Sequence, residues 1–180
     1  MKPSKIKVGE VENYIRRTLS KHLHLDLKKL KMVKEADLEC CAYFHLRKYL
    51  HSDSSWKILA RKHTPTKHYI DLLLFRKEKP RIALELKWNK QSIGKKDKRS
   101  LSRSVKQLAV HRAYFISTVT RGKGSFQQEP YAEIILPYNV KGIYIPLGKQ
   151  DGWHKRRRKF MSEMTKGKAK HKNKSKKKKL

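Results

Sequence analysis

Three charged side chains interrupt two apolar runs in the segment DLLLFRKEKPRIALELK, which extends from Asp71 to Lys87. Side chains alternate along a strand, so Glu85 and Lys87 share one face with Ala83, and the opposite face is uniformly apolar. A turn within RKEKP pairs the two runs as a hairpin and places Asp71 near Glu85 and Lys87. We therefore expect these three charges to meet at one end of a sheet.

Such a cluster indicates a particular chemistry. Two neighbouring carboxylates repel each other unless a cation joins them. Mg²⁺ suits this position because it prefers oxygen ligands and keeps coordinated water. A lysine beside the ion can hold or activate the attacking water and balance charge on a phosphate. The combination predicts metal-assisted hydrolysis of nucleic acid; the alternative is a surface ion pair on a half-exposed hairpin.

The net charge indicates a polyanionic partner. The 180 residues carry a net charge of +32, from 47 Lys and Arg against 15 Asp and Glu. The last 26 residues contribute 14 of the basic residues and one Glu, a net of +13, which leaves +19 for the rest of the chain. Because the part with a core is basic as well as the tail, nucleic acid is the expected partner.

Other classes of protein are disfavoured by the sequence. No apolar stretch approaches the roughly 20 residues of a membrane span, and the N-terminus lacks the apolar stretch of a secretory signal. The adjacent Cys40 and Cys41 form no disulfide framework, and the histidines lack the spacing of zinc ligands. We expect no membrane partner and a cytoplasmic, nucleoid-associated protein, or a nuclear one in a eukaryote.

The apolar periodicity predicts an α/β protein. A helix begins after Gly9, and a second covers KEADLECCAYFHLRKYL; the strands WKILARKH, HYIDLLLF and RIALELKW follow. The helix RSLSRSVKQLAVHR then leads to the strands AYFISTVT and VKGIYIPL, while YAEIILPY fits either a helix or a strand. Tight connections make the first three strands an antiparallel meander, and the helical crossover sets the fourth parallel to the third.

The order of elements also divides the chain. We predict an N-terminal helical segment over 1–34, a core over 35–153 with a mixed central sheet flanked by helices, and a tail over 154–180. The tail is too charged to bury a core, so we expect its last part to be disordered and the tail to bind nucleic acid.

Asp71 and the ELK sequence at Glu85–Lys87, on adjacent strands in an α-β-β-β-α-β order, resemble the PD-(D/E)xK nuclease superfamily. Restriction endonucleases, Holliday junction resolvases and RecB-type nuclease domains belong to it. The resemblance covers residues 35–120 and implies a restriction-endonuclease-like core. It also implies a nuclease that depends on Mg²⁺ or Mn²⁺ and acts on DNA rather than RNA. Ile70 stands where many members have Pro.

The resemblance implies roles for the matching residues. Asp71 and Glu85 would bind the metal, with the Leu86 carbonyl as a third ligand, and Lys87 would position or activate the water. Glu39 lies on the helix before the sheet, where many members carry a Glu that joins the metal site.

Two further implications concern the helix after the lysine strand and the assembly. Gln107 matches a glutamine that some members carry on the helix after the lysine strand, and His111 stands where the QxxxY element of RecB-like members has Tyr. Many members act as dimers, so a homodimer is a second expected partner.

Basic side chains around the site are expected to contact the nucleic acid backbone. The alternative is that they only form solvent-exposed faces, which have the same composition. The candidates are Lys90, Lys95, Lys96, Arg99, Arg103, Lys106, Arg156, Arg157 and Arg158. Two other functions fit the sequence. One is a non-catalytic basic protein of ribosomal or nucleoid-like type, and the other is a nuclease directed at RNA.

Overall fold

The computed structural model describes residues 5–63, 69–90, 93–119, 132–136, 140–146 and 155–163. The chain forms two compact units, Met1–Leu147 and Gly148–Leu180. Within the second unit a helix covers 155–163, and 164–180 lie outside the described residues. The predicted disorder of the end of the tail therefore stays a prediction. None of the described helices is long and apolar enough to cross a membrane.

The first unit is built on one mixed sheet, which confirms the predicted α/β class. The strands stand in the order β1-β2-β3-β4-β6-β5. They are β1 (Trp56–His63), β2 (Tyr69–Arg76), β3 (Lys79–Trp88), β4 (Arg112–Val119), β5 (Ala132–Leu136) and β6 (Val140–Pro146). Strands β1, β2 and β3 form the predicted antiparallel meander, and β4 runs parallel to β3. The segment that fitted either a helix or a strand is β5, antiparallel to β6.

The predicted N-terminal helical segment is a single helical run. It consists of α1 (Val8–Asn13), a π-helical stretch (Tyr14–Leu19) and α2 (Ser20–Lys28). Its buried apolar residues recur every four positions: Val11, Ile15, Leu19, Leu23 and Leu27. The next helix, α3 (Glu35–Leu50), buries Leu38, Ala42, Leu46 and Leu50 at the same spacing. Both helices thus present one continuous apolar stripe, and α2 and α3 pack together within the first unit.

The crossover helix α4 (Lys95–Gln107) connects β3 to β4. Leu101 is fully buried in a cluster that includes Ala83 of β3 and Phe115 of β4, and Val105 packs against the same cluster. Since Ala83 and Glu85 share a face of β3, α4 covers the face on which Glu85 lies. The helix ends earlier than predicted, because Arg112 belongs to β4.

A tight turn fixes the hairpin of β2 and β3. Lys77 and Glu78 have φ angles of 48° and 60°, so both adopt the left-handed conformation. Two consecutive left-handed residues define the two-residue hairpin turn whose twist matches that of paired strands. The turn therefore lies within RKEKP as predicted, and Pro80 is already part of β3.

Candidate active site

A β-bulge brings the two carboxylates of the hairpin to the same face. Near the turn, Phe75 pairs with Pro80. Carried on unchanged, that register would set Asp71 opposite Leu84 and on the apolar face. A bulge beside Phe75 shifts the register by one residue, which sets Asp71 opposite Glu85 instead. The site depends on this irregularity.

Asp71, Glu85 and Lys87 converge at the end of the hairpin away from the turn. Asp71 Oδ2 accepts a hydrogen bond of 2.7 Å from the backbone N–H of Leu86. Lys87 Nζ lies 2.6 Å from Glu85 Oε1 and 4.0 Å from Asp71 Oδ2. The lysine therefore faces both carboxylates, and the Leu86 peptide lies between them along β3.

Burial and neighbouring charges both shift the pKa values in this cluster. Burial and the charge of Asp71 together raise the pKa of Glu85 to about 7, against the opposing effect of Lys87. Burial also raises the pKa of Asp71, partly offset by the Leu86 N–H and the Lys87 charge. Burial opposes the ammonium form of Lys87, but its hydrogen bond to Glu85 and the surrounding acids raise its pKa overall. One cation does not balance this set of acids.

The structure adds Glu35, the first residue of α3, to the predicted cluster. Glu35 Oε1 lies 3.7 Å from Lys87 Nζ, and Glu35 Oε2 accepts a hydrogen bond of 3.2 Å from the Trp88 N–H. The first residue of α3 is therefore tied to the end of β3. Its spacing could have revealed it: Glu35 and Glu39 are four residues apart and share a face of the helix.

Glu39 lies at the rim of the cluster. Its charge raises the pKa of Asp71, so it is near enough to act on that carboxylate. Its own oxygens, however, accept hydrogen bonds of 2.9 Å from Arg61 Nε and 3.2 Å from Arg61 Nη2. In this state the Glu39 carboxylate is engaged by an arginine of β1.

Gln107 is not brought to the cluster. It is exposed and is the last residue of α4, whereas Asp97, in the first turn, lies close enough to Glu85 for its charge to raise the pKa of Glu85. Ten residues of helix, about 15 Å, separate Asp97 from Gln107. His111 follows Gln107 at the same end, where its N–H donates a hydrogen bond of 2.7 Å to the Arg81 carbonyl near the start of β3.

The chemistry of the converging residues suits a divalent cation, but they are too few to form a complete set of ligands. Glu85 Oε2 is buried and has no hydrogen-bond partner among the described residues, so one carboxylate oxygen is available to a cation. Buried polar atoms are normally paired, and an unpaired carboxylate oxygen is costly. Over the described ranges, no group of three or more His, Cys, Asp or Glu side chains is already arranged to hold a metal ion. Asp71, Glu85 and the Leu86 carbonyl are the candidate ligands.

Most of the predicted backbone-binding side chains are exposed. In the first unit, exposed residues follow β3 or lie on α4: Lys90, Lys95, Lys96, Arg99, Arg103 and Lys106. In the second unit, Arg156 and Arg158 are exposed on the helix over 155–163, and Arg157 is half-buried.

Comparisons with protein-family models, with curated proteins and with solved structures found no match to this chain.

Proposed function

We propose that this protein is a metal-dependent nuclease of the PD-(D/E)xK type that hydrolyses phosphodiester bonds, with DNA as the first substrate to test. One observation carries the proposal: Asp71, Glu85 and Lys87 converge on one face, with Glu85 Oε2 buried and unpaired among the described residues. The order α3-β1-β2-β3-α4-β4 is the one that the restriction-endonuclease-like core requires, so the fold supports the same proposal.

The proposed mechanism assigns a role to each residue of the cluster. A bound Mg²⁺ or Mn²⁺ would supply Lewis-acid stabilisation of the phosphate and a more acidic water. Asp71, Glu85 and the Leu86 carbonyl would hold the ion, and the excess of carboxylates prepares them for a cation. The raised pKa of Lys87 keeps it an ammonium at neutral pH. As an ammonium, Lys87 would orient the water by hydrogen bonding and oppose the developing negative charge.

Exposed lysines near the cluster support a polyanionic substrate. Lys90 comes two residues after β3, and its backbone is fixed because its N–H donates to Ser117 Oγ (3.1 Å) and its carbonyl accepts from the same atom (2.8 Å). This anchoring presents the exposed Lys90 side chain from a defined position close to the end of β3. With Lys95 and Lys96 it forms a basic rim suited to backbone phosphates.

A second function is favoured by a specific contact. The 2.6 Å ion pair between Lys87 and Glu85 places a cation on the cluster without any metal. If the cluster serves only to hold β3 to β2, the protein is a non-catalytic nucleic-acid-binding protein, and its net charge of +32 accounts for the binding.

Cleavage separates the two functions. Supercoiled plasmid, linear duplex, branched DNA and RNA are incubated with the full chain in Mg²⁺, in Mn²⁺ or in EDTA. The nuclease predicts cutting that EDTA abolishes and that Asp71→Ala and Lys87→Ala reduce at least about 10³-fold. The matched control is Lys79→Ala, an exposed lysine on the same strand, which should cut normally. Binding to these substrates without any metal-dependent cutting would favour the second function.

A further inference from the structure

Arg61 has an unusual backbone for a residue inside a strand. It belongs to β1, yet its φ angle is 48°, in the left-handed region. Its neighbours Ala60 and Lys62 pair with Leu72 and Ile70, so Arg61 lies across from Asp71 on the adjacent strand. Residues other than Gly rarely adopt this backbone conformation, and where they do, the strained residue often lies at a functional site.

The Arg61 side chain covers the acidic cluster from the solvent side. Its guanidinium donates two hydrogen bonds to Glu39, and its side chain is 65% exposed whereas that of Glu39 is 14% exposed. The bonds to Glu39 raise the pKa of Arg61, and the charges of Asp71 and Glu35 act in the same direction. Arg61 is thus a solvent-accessible cation at the mouth of a group of three acids.

Stability alone does not account for this arrangement. An ion pair with one exposed partner is worth little, because solvent screens it and a long side chain must be ordered. A left-handed arginine costs backbone energy at the same position. The pair is therefore poorly explained as a stabilising contact, and its position beside Asp71 points to the site.

We propose that Arg61 is a phosphate-binding residue of the substrate site that Glu39 holds in place until nucleic acid arrives; the proposal rests on the proposed function. A planar guanidinium can leave one carboxylate and bind two oxygens of a backbone phosphate with the same geometry. That exchange frees Glu39 near Asp71, whose pKa the Glu39 charge already raises. Among the described residues no group of three or more metal-ligating side chains is present. A released Glu39 would add a third carboxylate to Asp71 and Glu85.

The test compares variants of Arg61 with a matched lysine on the same strand. Arg61→Gly removes the side chain and relieves the left-handed backbone, so it guards against misfolding. Arg61→Lys keeps the charge without the planar fork. Lys57→Ala removes one exposed charge from β1 and serves as the control. Binding of a DNA duplex is measured in EDTA over a range of salt concentrations, and Mn²⁺ affinity is measured without DNA by calorimetry.

The two measurements should move in opposite directions. Arg61→Gly should weaken DNA binding about tenfold beyond Lys57→Ala and lower the slope of log affinity against log salt by about 1, with Arg61→Lys in between. The same Arg61→Gly should tighten Mn²⁺ binding several-fold, because Glu39 is then free. Glu39→Gln should strengthen DNA binding and weaken Mn²⁺ binding.

Equal DNA binding by Arg61→Gly and Lys57→Ala would overturn the inference, as would tighter DNA binding by Arg61→Gly. The proposed function is judged separately, by whether the wild-type protein cuts in Mg²⁺ or Mn²⁺. A wild type that cuts while Arg61→Gly behaves like the control refutes the role of Arg61 and leaves the nuclease standing. A wild type that never cuts refutes the nuclease, even where Arg61 contributes to DNA binding.

Discussion

Asp26 and Glu85 are buried to the same extent, with 7% and 6% of their surface exposed, but their surroundings differ. Asp26, on α2, lies 2.7 Å from His45 Nε2 and 3.2 Å from Lys31 Nζ, so each of its oxygens has a partner. Burial opposes its charge, but the bonds to His45 and Lys31 outweigh burial and lower its pKa. Glu85 has one partner, Lys87, and its pKa is raised to about 7.

Burial alone therefore does not distinguish a structural acid from a candidate metal ligand. What distinguishes them is the balance of donors and acceptors around each carboxylate. Around Asp26 there are enough donors to pair both carboxylate oxygens. The Cys41 thiol also hydrogen-bonds to Asp26, and burial together with this acid raises the pKa of Cys41 to about 11. Around Glu85 the acids Asp71 and Asp97 add negative charge, and Oε2 stays unpaired among the described residues. The second cluster is the one that a cation would complete.

The largest difference is expected in catalysis. Glu85→Gln should lower the rate of Mg²⁺-dependent DNA cleavage by about 10³-fold or more, because a neutral amide is a poor ligand for Mg²⁺. Asp26→Asn should keep the wild-type rate per folded molecule. Cleavage is measured under single-turnover conditions, with the folded fraction determined by circular dichroism. Comparable losses in both variants would remove the distinction between the two clusters.

The next difference concerns stability without metal. Asp26→Ala should lower the free energy of unfolding by about 3 kcal/mol, because it leaves buried donors of His45 and its neighbours unpaired. Glu85→Gln should leave the stability unchanged or raise it at pH 8, because it removes a buried negative charge that lacks full compensation. Urea unfolding in EDTA measures both, and a strong destabilisation by Glu85→Gln would show that this acid, too, is structural.

The two acids should give pH dependences of opposite sign. The pKa of Asp26 is lowered on folding, so the stability that it contributes is present above about pH 4 and is lost as the pH falls through its folded value. The pKa of Glu85 is raised from 4.5 to about 7, so the folded state binds the extra proton between these values. Glu85 should therefore lower the stability of the metal-free protein by roughly 2.5 kcal/mol as the pH rises from 4.5 to 7.

Single variants isolate each contribution. Glu85→Gln should reduce the loss of stability between pH 4.5 and 7 and match the wild type near pH 4.5. Asp26→Asn should retain that loss and flatten the acid limb. Urea midpoints at half-unit pH steps give both curves. If Glu85→Gln kept the wild-type slope, the assignment of the raised pKa to Glu85 would be wrong.

The sequence was sufficient for the arrangement of the first four strands and for the face of β3 on which Glu85 and Lys87 lie. Alternation in RIALELKW placed Glu85 and Lys87 together, and the crossover helix set β4 parallel to β3 as predicted. These features follow from the periodicity of apolar residues, which is a local property of the sequence. The bulge beside Phe75 depends instead on how two strands pair, so the local pattern does not predict it. Without the bulge, Asp71 would lie on the opposite face of the sheet.

Glu35, Arg61 and Gln107 show where the sequence was insufficient. Glu35 reaches Lys87 only because α3 begins beside the end of β3, a tertiary fact. Arg61 gave no signal, since a left-handed residue inside WKILARKH has no sequence signature. Gln107 matched a family pattern, yet the length of α4 places it away from the cluster. Spacing along the chain predicted neighbours within an element better than neighbours between elements.

The most direct test of the central claim is a calorimetric titration of the metal-free protein with Mn²⁺ at pH 8. We expect saturable binding by the wild type, the same affinity for Asp26→Asn, and an affinity at least about tenfold weaker for Glu85→Gln, because the two carboxylates of the hairpin hold the ion. Equal binding by Glu85→Gln and the wild type, or no saturable binding by the wild type, would contradict a metal site at Asp71 and Glu85.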